Sequence, residues 1–133
     1  MSISRMTGVL LLGLLLPTQG AIASPAQDIQ THGTAMMKDA DDMVAHGGMG
    51  DTGAIVHHCG EVIKHAEAIL KALPSTDPQG KEALPHLLAA IKHCERVAEL
   101  GDRVDPGASL NPATKARSAA KEAVKHLAAL NES

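Results

Sequence analysis

Apolar residues that alternate four and three positions apart constrain the fold of this chain more than any other feature. The clearest series is Ile55, Cys59, Val62, Ala66, Ile69 and Leu73. This alternation is the heptad pattern, which places all members of the series on one face of an α-helix. Three further segments follow the same period, and no segment shows the alternation with period two that is typical of a half-buried strand. The sequence therefore predicts an all-α protein.

Glycine and proline residues separate the four periodic segments. We predict helices over residues 34–46, 52–73, 82–100 and 112–130. The third helix has Pro85 in its first turn, where the missing N–H is harmless, and the fourth has Asn111 as N-cap and Pro112 as its first residue. Residues before 34 could extend the first helix or stay irregular. Four short amphipathic helices with tight connections favour an antiparallel up-down-up-down four-helix bundle.

The first 23 residues have the pattern of a cleaved secretory signal. Arg5 supplies a positive charge, an apolar run follows at 9–16, and Ala21 and Ala23 provide the two small residues of an A-x-A cleavage site. The apolar run is shorter than the roughly 20 residues that a membrane-spanning helix needs. We therefore expect a signal peptide at 1–23, a bundle domain at 24–133, and export to the periplasm or beyond the cell without membrane insertion after cleavage.

Composition excludes several classes of partner. The chain contains no Phe, Tyr or Trp, so nucleic-acid bases have no aromatic side chain on which to stack. When Arg5 leaves with the signal peptide, 11 basic residues remain against 15 acidic ones, a net charge of −4 with neutral histidines. This balance disfavours nucleic acid and anionic membrane surfaces, and it suits cations.

Histidines and one aspartate recur seven positions apart beside the apolar stripes. His58 and His65, for example, each stand one position before a core residue, at heptad position g. Seven residues are two helical turns, so both imidazoles lie on one helix face, and imidazole is the commonest metal ligand near neutral pH. The predicted metal ligands are His32, Asp39, His46, His58, His65, His86, His93 and His126. His57, at position f, is expected to face solvent.

The numbering of these residues predicts which of them lie at the same height. Residues of two antiparallel neighbours are level when their numbers add to a constant, which pairs Asp39 with His58 and His32 with His65. One predicted layer holds His32, His65, His86 and His126, and a second holds Asp39, His58 and His93. Each helix also carries an acid four residues before a histidine, which could fix the imidazole tautomer or bind the metal directly. These acids are Asp42, Glu61, Glu82 and Glu122.

The sulfur-containing residues are compatible with more than one role. Cys59 and Cys94 occupy core positions at similar heights on neighbouring helices, and an oxidising compartment favours a disulfide between them. The same positions also suit two reduced core thiols, or two thiolate ligands for a soft ion such as Cu(I). Met36, Met37 and Met43 are expected in the core rather than as thioether ligands.

From Met36 onward the sequence resembles the periplasmic small metal-binding protein family. The first half of the resemblance lies in the segment DADDMVAHG at 39–47, then Gly50-Asp51-Thr52, His58 and Lys64-His65-Ala66. The second half lies in Pro85-His86-Leu87, Ile91-Lys92-His93 and Val124-Lys125-His126-Leu127. The resemblance implies a four-helix bundle whose repeated histidines bind copper and other divalent ions. Its ligand positions correspond to His46, His58, His65, His86, His93 and His126, whereas Asp39, Asp51 and Ala119 stand where the pattern would have histidine.

These observations predict an exported protein that buffers or sequesters divalent transition metals. Cu(II) heads the affinity order at nitrogen-rich sites, and Ni(II) and Zn(II) follow. We expect no enzymatic activity, because the sequence lacks the paired Glu-x-x-His motifs of di-iron bundles and the Cys-x-x-Cys-His motif of c-type haem. The alternative is a periplasmic helical interaction module without metal, in which the histidines sense pH.

Overall fold

The computed structural model describes residues 22–101 and 106–132, which form four long helices and one short one. They are α1 (Pro25–Gly48), α2 (Thr52–Ala72), α3 (Pro78–Leu100), α4 (Pro106–Ala128) and a 3₁₀ turn at Ala129–Glu132. The described ranges contain no strand, which confirms the all-α prediction. None of the described helices is long and apolar enough to cross a membrane. The predicted signal peptide lies, up to residue 21, outside the described residues.

The helices pack as a ring in chain order. α1 packs most extensively on α2 and α3 on α4, while the contacts of α2 with α3 and of α1 with α4 complete the ring. Contacting residues run in opposite order along neighbours: Gln30 of α1 bonds to the Leu127 carbonyl of α4, and Asp41 further along α1 pairs with Arg117, earlier in α4. The fold is therefore a four-helix bundle whose neighbouring helices run antiparallel.

The predicted heptad stripes form the core. The fully buried residues include Met36, Ala40 and Met43 of α1, Ile55, Cys59, Val62, Ala66 and Ile69 of α2, Leu87, Ala90, Cys94 and Val97 of α3, and Ala116, Ala120, Ala123 and Leu127 of α4. The stripe of α4 is mostly alanine, so the core is thin on that side and its apolar area is modest. Met37 is half-buried against the same core, which agrees with the core role expected for these methionines.

The stretch before residue 34 extends the first helix, which is one of the two possibilities that the sequence left open: α1 begins at Pro25, and Ser24 and Gln27 form a reciprocal capping box at its first turn. The predicted starts of the third and fourth helices are wrong. α3 and α4 begin at Pro78 and Pro106, so Pro85 and Pro112 lie inside helices rather than in first turns. An interior proline costs a backbone hydrogen bond and about 3 kcal/mol.

The early start of α3 has a local and a tertiary cause. The Asp77 side chain accepts hydrogen bonds from the N–H groups of Gln79 and Gly80, which caps the helix before Pro85 is reached. The added first turns also bury Gly80 and Ala83 completely. Local capping and extra burial together offset the cost of the interior proline. The sequence prediction considered the proline alone.

The cysteines are free buried thiols, so the disulfide favoured by the sequence is not formed. Cys94 nevertheless lies near Cys59, and this neighbour, together with burial, raises the pKa of the Cys94 thiol above its ordinary value. Cys59 Sγ itself donates to Met43 Sδ at 3.0 Å. The Cys59 thiol therefore packs against the thioether of Met43.

Antiparallel packing divides the helix contacts into two kinds. Heptad positions g and e lie on opposite sides of each core stripe. In an antiparallel ring, each helix therefore turns its g residues towards the g residues of one neighbour and its e residues towards the e residues of the other neighbour. The α2–α3 contact joins e residues that are largely apolar: Val56 and Ala98 line one groove between these helices, and Leu70 and Leu84 line another. The g residues therefore face each other between α1 and α2 and between α3 and α4.

Two glycine substitutions test this packing with opposite expected signs. Gly60 is exposed within α2 and has open space around it, so Gly60→Ala should raise the free energy of unfolding by about 0.5–1 kcal/mol through helix propensity. A Cβ on Gly80 would lie 2.9 Å from the Pro74 carbonyl oxygen. Gly80→Ala should therefore lower the free energy of unfolding by about 1–3 kcal/mol. Urea unfolding measures both free energies. An equal increase in both variants would contradict the close approach of Gly80 to the connection between α2 and α3.

Candidate metal centres

The g positions of α1 and α2, together with Asp42 three residues after Asp39, bring together six candidate ligands. We call this set the α1–α2 seam: His32, Asp39, Asp42, His46, His58 and His65. All six are half-buried, so the side chains are held by their neighbours while solvent still reaches them. Such positions suit ions that must enter and leave.

His32 and His65 form the first contact of the seam. Their Nδ1 atoms are 2.9 Å apart, at the matched height that the numbering predicted. One ring carries the shared proton and the other accepts it. Two nitrogens that each lie about 2.0–2.1 Å from one ion at a right angle are themselves about 2.9 Å apart. An ion bound between the two rings could keep this spacing, and the rings would turn until both lone pairs point at the ion.

Asp39, Asp42 and His58 form the second cluster of the seam. Each places one ligand atom within 4.8 Å of the other two. His58 Nδ1 donates to Asp39 Oδ1 at 2.9 Å, and the two side chains are only 17% and 18% exposed. A carboxylate in this position fixes the imidazole tautomer and leaves Nε2 with the lone pair that a metal needs. The ring of His46 stacks on that of His58, with centroids 5.4 Å apart.

Asp39 joins the two clusters into one continuous string of ligands. Its Oδ1 faces His58, while its Oδ2 lies 3.8 Å from Nε2 of His65. The second distance is too long for a hydrogen bond but close enough for the carboxylate charge to favour a proton on that nitrogen. His65 then presents its Nδ1 lone pair towards His32. One carboxylate thus orients imidazoles in both clusters.

Two lysine side chains near the α1–α2 seam bond to carboxylates that a metal ion would otherwise bind. Lys38 Nζ lies 2.6 Å from Asp42 Oδ2, and this hydrogen bond is the main cause of a lowered Asp42 pKa, with smaller contributions from His58 and His46. A similar bond from Lys64 lowers the pKa of Glu61. Two of the four acids that the sequence paired with histidines, Asp42 and Glu61, are thus ionised but bonded to exposed lysines.

The second group of g residues lies between α3 and α4 and includes three histidines. We call it the α3–α4 seam: Gln79, His86, His93, Ala119 and His126. The His86 and His126 rings stack with centroids 5.6 Å apart and an interplanar angle of 8°. Gln79 Oε1 accepts a hydrogen bond from His126 Nδ1 at 3.0 Å, which leaves His126 Nε2 free for a metal.

His93 stands apart from the other candidate ligands. If His86 is level with His126, the residue level with His93 is Ala119, which offers no ligand atom. The groove beside His93 is lined by Arg96 and Lys115, whose positive charges oppose a bound cation. Among the predicted ligands, His93 therefore has the surroundings least favourable to a bound cation.

His57 is exposed and faces solvent, as expected.

The predicted layers across all four helices are not formed. Among the described residues, no hydrogen bond, ion pair or ring contact joins the α1–α2 seam to the α3–α4 seam, so the layer of four histidines is two separate pairs. Likewise, His58 contacts Asp39 but not His93. The reason is that α2 presents its g side to α1 and meets α3 through its e side. Matched height alone does not decide which side of a helix faces a neighbour.

Sequence reasoning missed Gln79 and the grouping of Asp42 with Asp39 and His58. Gln79 stands seven positions before His86 and is therefore a g residue, a signal hidden because the predicted third helix began at residue 82. Asp42 was treated as a partner of His46, but it also lies three positions after Asp39, on the same side of α1. The true start of the third helix would have identified Gln79, and the spacing of three residues from Asp39 would have identified the place of Asp42.

Comparison with known protein families matches residues 1–130 to the family described as small metal-binding protein. The match spans both seams and nearly the whole chain. No individually curated protein matches the chain at a significant level.

Ala119→His tests whether the seams are built by matched g positions. The new imidazole should lie level with His93 and reproduce the pairing of His86 with His126, which should add one bound Ni(II) equivalent per chain. Lys121→His is the matched control, because it adds the same side chain at an exposed position of α4. Equilibrium dialysis measures the bound metal, and an equal gain in both variants would contradict the g-to-g geometry.

Proposed function

Because this chain belongs to the small metal-binding protein family, we propose that it buffers divalent transition metals in the periplasm, with Cu(II) as its foremost ion and Ni(II) and Zn(II) as further ones. The observation that carries the proposal is the α1–α2 seam, in which imidazole and carboxylate ligands contact each other along one helix hairpin. The 2.9 Å separation of the His32 and His65 nitrogens already matches the spacing that one ion would impose.

The choice of copper follows from the donor atoms. Imidazole nitrogens outnumber carboxylates among the candidate ligands, and Cu(II) heads the affinity order of divalent ions for such sites. The cluster of Asp39, Asp42 and His58 has two oxygen donors for one nitrogen, which suits harder ions at that position. We therefore expect modest discrimination among Cu(II), Ni(II) and Zn(II).

Buffering, rather than catalysis, is supported by the exposure and arrangement of the ligands. Half-buried seams let ions exchange with solvent, and the family is described by metal binding rather than by a reaction. The acidic balance of the chain attracts cations. The signal-like pattern at 1–23 supports a periplasmic location, where such a protein would hold metal outside the cytoplasm.

Calorimetric titration of the mature protein with Cu(II), Ni(II) and Zn(II) tests this function. His65→Ala should weaken the tightest site by at least about tenfold, because His65 contacts both His32 and Asp39. His57→Ala is the matched control, since His57 is exposed and touches the seam only at the edge of the His58 ring, with centroids 5.3 Å apart. Binding no tighter than that of an unfolded peptide with the same histidine content would exclude the proposal.

The same titration should depend on pH. Imidazole binds a metal only when neutral, so protons compete with the ion and affinity should fall as the pH drops through about 6.5. A pH-sensing module without metal would instead show no tight binding at any pH. The two functions are therefore separated by one series of titrations.

A further inference from the structure

Three sulfur atoms meet in the core at a place that neither seam includes. Cys59 Sγ lies 3.0 Å from Met43 Sδ, and Cys94 lies close enough to Cys59 for that neighbour, together with burial, to raise the pKa of the Cys94 thiol. The three residues come from α1, α2 and α3, and all are fully buried. Both cysteines are free thiols. The cluster thus provides two thiols and a thioether from three different helices.

We infer that Met43, Cys59 and Cys94 form a second metal site, which takes a soft monovalent ion such as Cu(I). Thiolate and thioether sulfur are the donors that favour Cu(I) over harder divalent ions. This sulfur site is separate from the divalent-metal binding proposed for the histidine seams. It differs from the seams in its donor atoms, in its burial and in the charge of the ion that it would bind. Neither site requires the other.

The charge balance favours a monovalent ion. Binding replaces the proton of at least one thiol, the proton passes to solvent, and a bond forms between sulfur and the ion. One thiolate then neutralises one positive charge, so the core gains no net charge, which would be costly to bury. No oxidant or reductant takes part, because the ion binds in the oxidation state in which it arrives.

The fourth side of the cluster provides no competing ligand. The α1–α4 register, set by Gln30 with Leu127 and Asp41 with Arg117, brings α4 past Met43 near Ala113 and Ala116, both fully buried. Structural zinc sites usually require four ligands, and three sulfur atoms beside alanine do not supply them. A site with three sulfur donors is adequate for Cu(I), which is bound at lower coordination numbers.

Anaerobic competition against the chromophoric Cu(I) chelator bicinchoninate tests this site in the thiol-reduced mature protein. The wild type should retain one Cu(I) per chain, and Cys59→Ala and Cys94→Ala should each lose it. Met43→Leu should weaken retention by at least about tenfold. Met37→Leu is the matched control on the same helix, because Met37 lies outside the sulfur contact, and it should retain Cu(I) like the wild type.

X-ray absorption of the Cu(I)-loaded wild type provides a readout that does not depend on any variant folding. Sulfur neighbours around copper support the site, whereas nitrogen neighbours alone overturn it. Equal Cu(I) retention in the wild type and both cysteine variants would also overturn it. Cu(II) binding by the cysteine variants is measured separately, so failure of the sulfur site and failure of the histidine seams give different results.

Discussion

Burial of four heptad stripes against one another in antiparallel order is the constraint on which the rest of the structure depends. The core contains no aromatic side chain, and α4 contributes mostly alanine, so the helices must pack closely to bury enough apolar surface. This packing fixes both height and rotation of each helix. In the direction in which this ring turns, the g sides meet between α1 and α2 and between α3 and α4.

The placement of the ligands is therefore a consequence of core packing. A histidine one position before a core residue is held at the edge of the bundle, where its ring is half-buried by the neighbouring helix. Two such residues at matched height, as with His32 and His65, bring their nitrogens together before any ion binds. The helix hairpin thus performs much of the ordering that a metal would otherwise have to impose. The e sides, which are largely apolar between α2 and α3 and carry Gln30 and Arg117 between α1 and α4, keep the two seams apart.

Much of this arrangement could be predicted from sequence because it depends on periodicity. The heptad identified the core residues, and the numbering identified the contact of Asp39 with His58. The start of α3 could not be found in this way, since tertiary burial and capping by Asp77 outweigh its interior proline. Rotation of the helices was also undetermined by numbering, so seams were mistaken for layers.

Other departures from prediction arise from competition between neighbours. Asp42 pairs with Lys38 rather than with His46. Both residues lie within reach of the Asp42 carboxylate, and the flexible lysine side chain is the one that bonds to it. The thiol of Cys59 similarly has Met43 as a partner as well as Cys94. Spacing identifies which partners are possible but not which of them is preferred. Such choices require the positions of all nearby atoms.

The most direct test of the two-seam arrangement is proton NMR of the histidine rings during titration with Zn(II), which is diamagnetic. The chain has no Phe, Tyr or Trp, so every aromatic proton signal comes from its eight histidines. We expect two groups of signals to change independently, one from the α1–α2 seam and one from His86 and His126, with His57 and His93 changing last. Signals from both seams that change together in constant proportion would contradict the arrangement, because they would place one ion across all four helices.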